Sequence, residues 1–349
     1  MTGISIHIAR TGPGNTIQDG GRLGWLRFGV TPAGPMDWIG HALANAMAGN
    51  SAGAAAIEIT IGGIEVELRG GAVTLAVAAP GFSVQHNGKA VARHVRLDLH
   101  NGDQLAIRPG AHGMWGYIAI AARLDLPLVM GSLATHTRSA LGGIDGRALA
   151  SGDQVTLADP RLLGDAELAA PVEEQTAEPI RVVLGPQADY FSEDGIRTFL
   201  GEPFALTAQM DRMAYRLAGP LIAHAKGFNI VSDGIALGAI QVPGNGQPIV
   251  LMADRQPTGG YPKIATIIRA DMARFAQVRA GGGVRFAATS VAAATAELRR
   301  LKSWLGSVSE RITVRRAGPI DPARLLETNL IDGVVSATAD DTGFVVHNR

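Results

Sequence analysis

IEVELRGGAVTLAVAAPGFSVQHNGKAVARHVRLDLHNGDQLAI, residues 64–107, decides the fold class. Residues 64–68, 73–78, 95–99 and 105–107 are short runs rich in Val, Ile and Leu, and Gly70-Gly71, Asn87-Gly88 and Asn101-Gly102 punctuate them as turns. Alternation at period two puts one face of each run into a core. Residues 4–8 and 117–121 read the same way. One helix interrupts the strands. In MDWIGHALANAMAGN, Ile39, Ala42, Leu43, Ala46 and Met47 recur at helical spacing, with Asp37 placed to cap the start and Gly49 to end it. The 45 Gly and 18 Pro agree with many turns joining short strands, so the chain is expected to be mainly β with a few short helices.

A chain of 349 residues exceeds what one hydrophobic core usually serves. The acidic, Pro-bearing stretch 158–180 reads as a linker between an N-terminal β domain, 1–157, and a C-terminal β domain, 181–288. Residues 289–349 then form a C-terminal helix and extension. In the second part, strands are expected at 181–186, FNIVSD (228–233), 239–243, 248–253 and AQVRAGGGVRFA (276–287). Helices are expected at SEDGIRTFL (192–200), from Ser290 with Val291, Leu298, Leu301 and Leu305 on one side, and within 321–338. A faint echo of TLAVAAPGFSVQ in RVVLGPQADYF fits two similar β domains.

Lys+Arg and Asp+Glu are equal at 31 each, so no general field draws the chain to nucleic acid or to an anionic membrane. A charged ligand must be met by a local site. With no cysteine, disulfides, thiol nucleophiles and thiolate metal ligands are excluded. The N-terminus alternates like a strand rather than reading as a signal peptide, and apolar runs such as GYIAIAARLDLPLVMG are cut by Arg123 and Asp125 before the roughly 18 residues of a membrane span. A cytoplasmic protein is expected. None of Lys89, Lys226, Lys263 and Lys302 sits in a GxxxxGK[ST] phosphate loop, and neither GxSxG nor HExxH occurs. His86, His94 and His100 lie on neighbouring strand segments, but unpaired histidines are more often packing residues and no metal site is expected.

Chemistry concentrates in ADRQPTGGYPKIAT, residues 253–266. A strand ends at Asp254 and Arg255, Thr258, Gly259 and Gly260 allow close backbone approach, and Pro262 stiffens the segment between Tyr261 and Lys263. Charged groups at a strand end above a Gly-rich turn are a common way to build a site. Upstream, Asp211, Arg212 and Arg216 lie close in sequence, and arginine forks match carboxylate or phosphate oxygens. An ordinary loop-holding ion pair fits them equally well. Gln18, Asp19 and Arg22 occupy a Gly-rich loop that an Asp19–Arg22 ion pair alone would explain.

TIQDGGRLGW (16–25), GVTPAGPMD (29–37), GGIDGRAL (142–149), DRMAYRLAGP (211–220) and GAIQVPGNGQPIVLMADRQPTGGYPKIATII (238–268) together resemble the allophanate hydrolase subunit 2 family, also described as the C-type subunit of 5-oxoprolinase or the biotin-dependent carboxyltransferase family. The likeness runs in order over about residues 4–305. It implies two cyclophilin-like β-barrel domains and a partner of the subunit 1 or B type, with an A-type 5-oxoprolinase protein as a further component. It also implies one of three functions: ATP-dependent ring opening of 5-oxoproline to glutamate, carboxyl transfer from carboxybiotin on a separate carrier, or non-catalytic control of a kinase-inhibitor-like partner. Under the first, ATP is used by the complex, and biotin enters only under the second. Arg212, Arg216 and Arg255 would hold a carboxylate or phosphoryl group, Lys263 would stabilise developing charge, and Asp254 would orient Arg255 or handle a proton. Tyr261, Asp211, Thr258, Gly259, Gly260, Gln18, Asp19 and Arg22 complete the candidate set. Pro257, Ala214 and Asp233 depart from the family pattern, which leaves substrate preference open.

Overall fold

Residues 3–168 and 179–314 are described by the computed structural model. Their architecture is mainly β, with four α-helices among the described residues. One seven-stranded sheet runs Arg123–Leu124, Gln154–Ala158, Ser5–Thr11, Ile64–Arg69, Gln104–Arg108, Ser83–His86, Lys89–Val91. A second runs Thr16–Gln18, Ala56–Ile59, Gly116–Ile120, Ala72–Ala78, His94–His100, Ala166–Leu168, Ile312–Val314. An eight-stranded sheet gathers Gly283–Val284, Phe204–Met210, Ala214–Ala218, Ile249–Leu251, Ala239–Gln241, Lys263–Ile267, Ile180–Leu184 and Phe286–Ala288.

Alternation explains the layering. In Ala72–Ala78, Val73, Leu75 and Val77 enter an aliphatic core with Ile57, Ile59, Ile118 and Ile120. The other face of the same sheet offers Ala56, Ala76, Ala78 and Ala119 to a second core. These methyl-sized residues let helix α1 (Trp38–Met47) lie on strands Gly116–Ile120 and Ala72–Ala78, through Leu43, Ala44 and Met47. The second core continues into the other half, where Phe199 of helix α2 (Glu193–Gly201) stacks on Phe286 at 4.7 Å. Helix α3 (Arg269–Ala276) and helix α4 (Val291–Gly306) add a layer, α4 packing on both α1 and α3.

The expected strands at 4–8, 64–68, 73–78, 95–99, 105–107 and 117–121 all form, the first running on to Thr11 and the others within one residue at their ends. Asp37 caps α1: its Oδ1 accepts from the Ile39 and Gly40 amides at 3.1 and 2.9 Å. Ser192 and Ser290 cap α2 and α4. Three expectations need correction. FNIVSD forms no strand before Asp233, where Asp233–Gly234 pairs with Thr258–Gly259. Ala276 closes α3 rather than opening a strand. Six of the eight α3 residues are buried, so the helix has no polar face to give it a period. Within the stretch read as linker, Ala166–Leu168 is a strand between His94–His100 and Ile312–Val314. The helix expected within 321–338 lies outside the described residues.

Candidate functional site

Strand register places the first polar cluster. Ile57 and Ile59 point into the aliphatic core, so Glu58 faces the opposite way, and the ladder sets it directly across from Tyr117. Tyr117 donates its hydroxyl hydrogen to Glu58 Oε2 at 2.7 Å, and the same carboxylate oxygen accepts the Met36 amide at 2.8 Å. Arg212 arrives from the other half. Its Nε and Nη2 grip Asp254 in a two-pronged pair at 3.0 and 2.9 Å, Nη1 donates to Glu58 Oε1, and Nη2 also donates to the Gly34 carbonyl at 2.7 Å. Burial alone would lower the Arg212 guanidinium, but Asp254 and Glu58 hold it above its ordinary value. Burial pushes the Glu58 carboxyl up, with Arg212 opposing. The expectation that Asp254 orients Arg255 or handles a proton is corrected to this extent: both its oxygens accept from Arg212, and its charge reaches Arg255 without a hydrogen bond between them.

The loop expected to be pinned by an Asp19–Arg22 ion pair is built differently. Asp19 accepts from the Gly21 amide at 2.9 Å, the Ser132 hydroxyl at 2.7 Å and the Leu133 amide at 2.6 Å. Arg22, only 1% exposed, donates from Nε to the Val129 carbonyl at 2.9 Å and from Nη2 to the Ala134 carbonyl at 2.8 Å. Its Nη1 has no hydrogen-bond partner. Burial lowers the Arg22 guanidinium, while Asp19 and Asp254 raise it. His136, with an unpartnered Nδ1, feels the charges of Asp254, Arg212 and Arg22, so these four side chains share one neighbourhood. Gln18 is fully buried and ties the loops together, donating to Thr16 and to the Thr135 carbonyl and accepting from the Gly34 amide. Gly142 must lack a side chain, since a Cβ there would stand 2.1 Å from the Ala134 carbonyl and 2.8 Å from Arg22 Nη2.

The remaining candidates separate. Arg255 donates to the Ile235 carbonyl at 3.1 Å, and burial lowers its guanidinium. Lys263, 4% exposed, donates to Asp233 at 2.9 Å. Thr258 and Gly259 pair with the strand carrying Asp233, and a Cβ on Gly259 would meet Ile235 and Gln241. Gly260 accepts from the Ile230 amide, and Tyr261 is 41% exposed. No hydrogen bond or ion pair joins Lys263 to Asp254 or Arg255 among the described residues. Arg216 points to solvent because its neighbours Tyr215 and Leu217 are buried on the core face of the strand. Asp211 forms a tight turn with the Met213 and Ala214 amides and an exposed ion pair with Arg138 at 2.8 Å. The sequence reading missed Glu58, Tyr117 and His136. The available signal was a carboxylate between isoleucines in AAAIEITI.

The family model described as carboxyltransferase domain, subdomain A and B, matches residues 28–288. The chain is similar to the C subunit of 5-oxoprolinase from Escherichia coli (strain K12), 37% identical over 287 residues that cover 82% of this chain and 92% of that one. It is also similar to the corresponding C subunit from Haemophilus influenzae, 35% identical and covering 82% of this chain and 91% of that one. The crystal structure of the K. lactis urea amidolyase superposes with a TM-score of 0.80 at 25% identity, covering 91% of this chain and 21% of that one. This chain thus spans about a fifth of that larger enzyme.

Proposed function

Because the chain belongs to the family of carboxyltransferase domains built from subdomains A and B, we propose that it is the C-type subunit of a 5-oxoprolinase, opening 5-oxoproline to glutamate with B-type and A-type partners at the expense of ATP. The observation that supports this most is the free Nη1 of buried Arg22 beside Asp254 and Arg212. A buried cationic donor without a partner is costly unless an anion completes it, and the carboxylate of 5-oxoproline is such an anion. Arg212 has Nε, Nη1 and Nη2 committed to protein oxygens, so it positions Asp254 and Glu58 rather than gripping substrate. His136, whose imidazole burial lowers, offers a neutral ring at the same place. Lys263 stands apart from this cluster with its ammonium on Asp233, so no contact with the bound 5-oxoproline is assigned to it. ATP is consumed by the complex as a whole. Two cyclophilin-like barrels and a cytoplasmic location complete the reading.

The test is reconstitution with the B-type and A-type partners, following glutamate release and ATP consumption with and without 5-oxoproline. ATP consumption indifferent to 5-oxoproline would overturn the reading. Carboxyl transfer, the second reading, draws on the likeness to urea amidolyase and needs a biotin carrier on another chain.

A further inference from the structure

A cavity of about 620 Å³ lies between α1 and α4. Trp38, Ala42 and Ala46 of α1 and Leu305 of α4 give it an apolar wall, while Arg269 and Lys302 supply two cations. No carboxylate lines it among the described residues. The Arg269 side chain is held but not satisfied. Its guanidinium carbon lies 5.0 Å from the centre of the Trp38 ring, and the Trp38 indole N–H donates to the Arg269 carbonyl at 3.0 Å. Neither the Arg269 guanidinium nor the Lys302 ammonium has a hydrogen bond or ion pair among the described residues. Burial, then the like charge of Arg255, pulls the Arg269 guanidinium down to about 10, with Asp37 opposing. By surface area Arg269 is nonetheless exposed, as is Lys302, so water in the open cavity screens both charges and tempers that downward pull. None of Arg22, Arg212, Asp254 or Lys263 lines this space. Lys302 and Leu305 also lie beyond residue 288, where the match to the carboxyltransferase family ends.

We propose that this cavity is a second binding site, for a small organic anion whose carboxylate, phosphate or sulfonate meets Arg269 and Lys302 and whose flat or apolar body lies against Ala42, Ala46 and Leu305. Arginine pre-stacked on an aromatic ring loses little freedom when it grips an oxyanion, and two cations with no hydrogen-bonded acid partner make a site that an anion completes. The volume suits a ligand of nucleotide size.

The indole N–H resonance of Trp38 in the full chain, one of four tryptophans and assigned with Trp38→Phe, reports on occupancy. Two probes, adenosine 5′-monophosphate and 8-anilinonaphthalene-1-sulfonate, are titrated separately. At least one is expected to move that resonance saturably, and the probe that does so identifies a nucleotide or a non-nucleotide anion. Arg269→Gln removes a charge-assisted contact and should weaken binding by roughly tenfold or more. Ala46→Phe, which fills the space and leaves both cations in place, should weaken it comparably. A resonance that neither probe moves, or wild-type affinity retained in either variant, overturns the proposal.

Discussion

Arg212 shows how one residue joins the two halves. It carries a single positive charge to two carboxylates, Asp254 from its own half and Glu58 from the other, and Glu58 has no exposed surface. Replacing it by Met would strand two acids, one of them fully buried, and is expected to cost about 3–5 kcal/mol. Adding Glu58→Gln should recover part of that loss, because the neutral amide no longer needs a counter-charge. Urea denaturation of the single and double variants measures both; an additive result would contradict the coupling. Legibility at this scale followed chain position. Asp254 could be seen because it ends an apolar strand beside a glycine turn. Its true partner could not, because Arg212 lies 42 residues away in sequence and the register that brings it back is a tertiary fact. Arg22 was visible as a charge in a glycine loop, but its burial was not, since backbone carbonyls, rather than Asp19, take its protons.

Helix α1 packs on the strands that carry Glu58 and Tyr117, and it contains a pH-dependent weakness. His41 is 2% exposed, and burial pulls its imidazole from 6.5 to about 4. The unfolded chain therefore takes up this proton before the folded one. The stability His41 confers as a neutral ring is complete above pH 6.5 and falls away as pH drops from there toward 4, by up to about 3 kcal/mol. His41→Gln should flatten that part of the profile relative to wild type, as read from denaturation midpoints at successive pH values. Parallel profiles would show that His41 does not titrate this way. Elements with a period were legible: the alternating strands of the first half and the capped helices α1, α2 and α4. Helix α3 was not, because an element buried on nearly every side carries no pattern.

Across the whole molecule, a few polar side chains lock one half to the other. Gln277 accepts the Met114 and Trp115 amides with Oε1 and donates from Nε2 to Asp37 and the Trp115 carbonyl. Arg279 donates to the carbonyls of Gly110, Ala111, His112 and Gly113. Trp115 reaches Tyr215 at 2.9 Å. Gln277→Ala would leave four groups seeking partners at ~1–3 kcal/mol for each that water does not reach, so a clear fall in midpoint is expected by calorimetry. A midpoint within error of wild type would show that the Gln277 links do not hold the halves together. None of these links could be read from sequence, since each joins residues more than 70 positions apart. The same geometry makes the site a joint product: Arg22 and His136 come from one half, Arg212 and Asp254 from the other.

The proposed activity depends most on the unpartnered donor of Arg22, so the decisive measurement is 5-oxoproline-dependent glutamate formation by the reconstituted complex containing Arg22→Gln, beside the thermal midpoint of the variant chain. A drop of about a hundredfold or more with the variant still folded is predicted, the size seen when one preorganised donor to substrate is removed. Wild-type turnover by a folded Arg22→Gln chain would contradict the account.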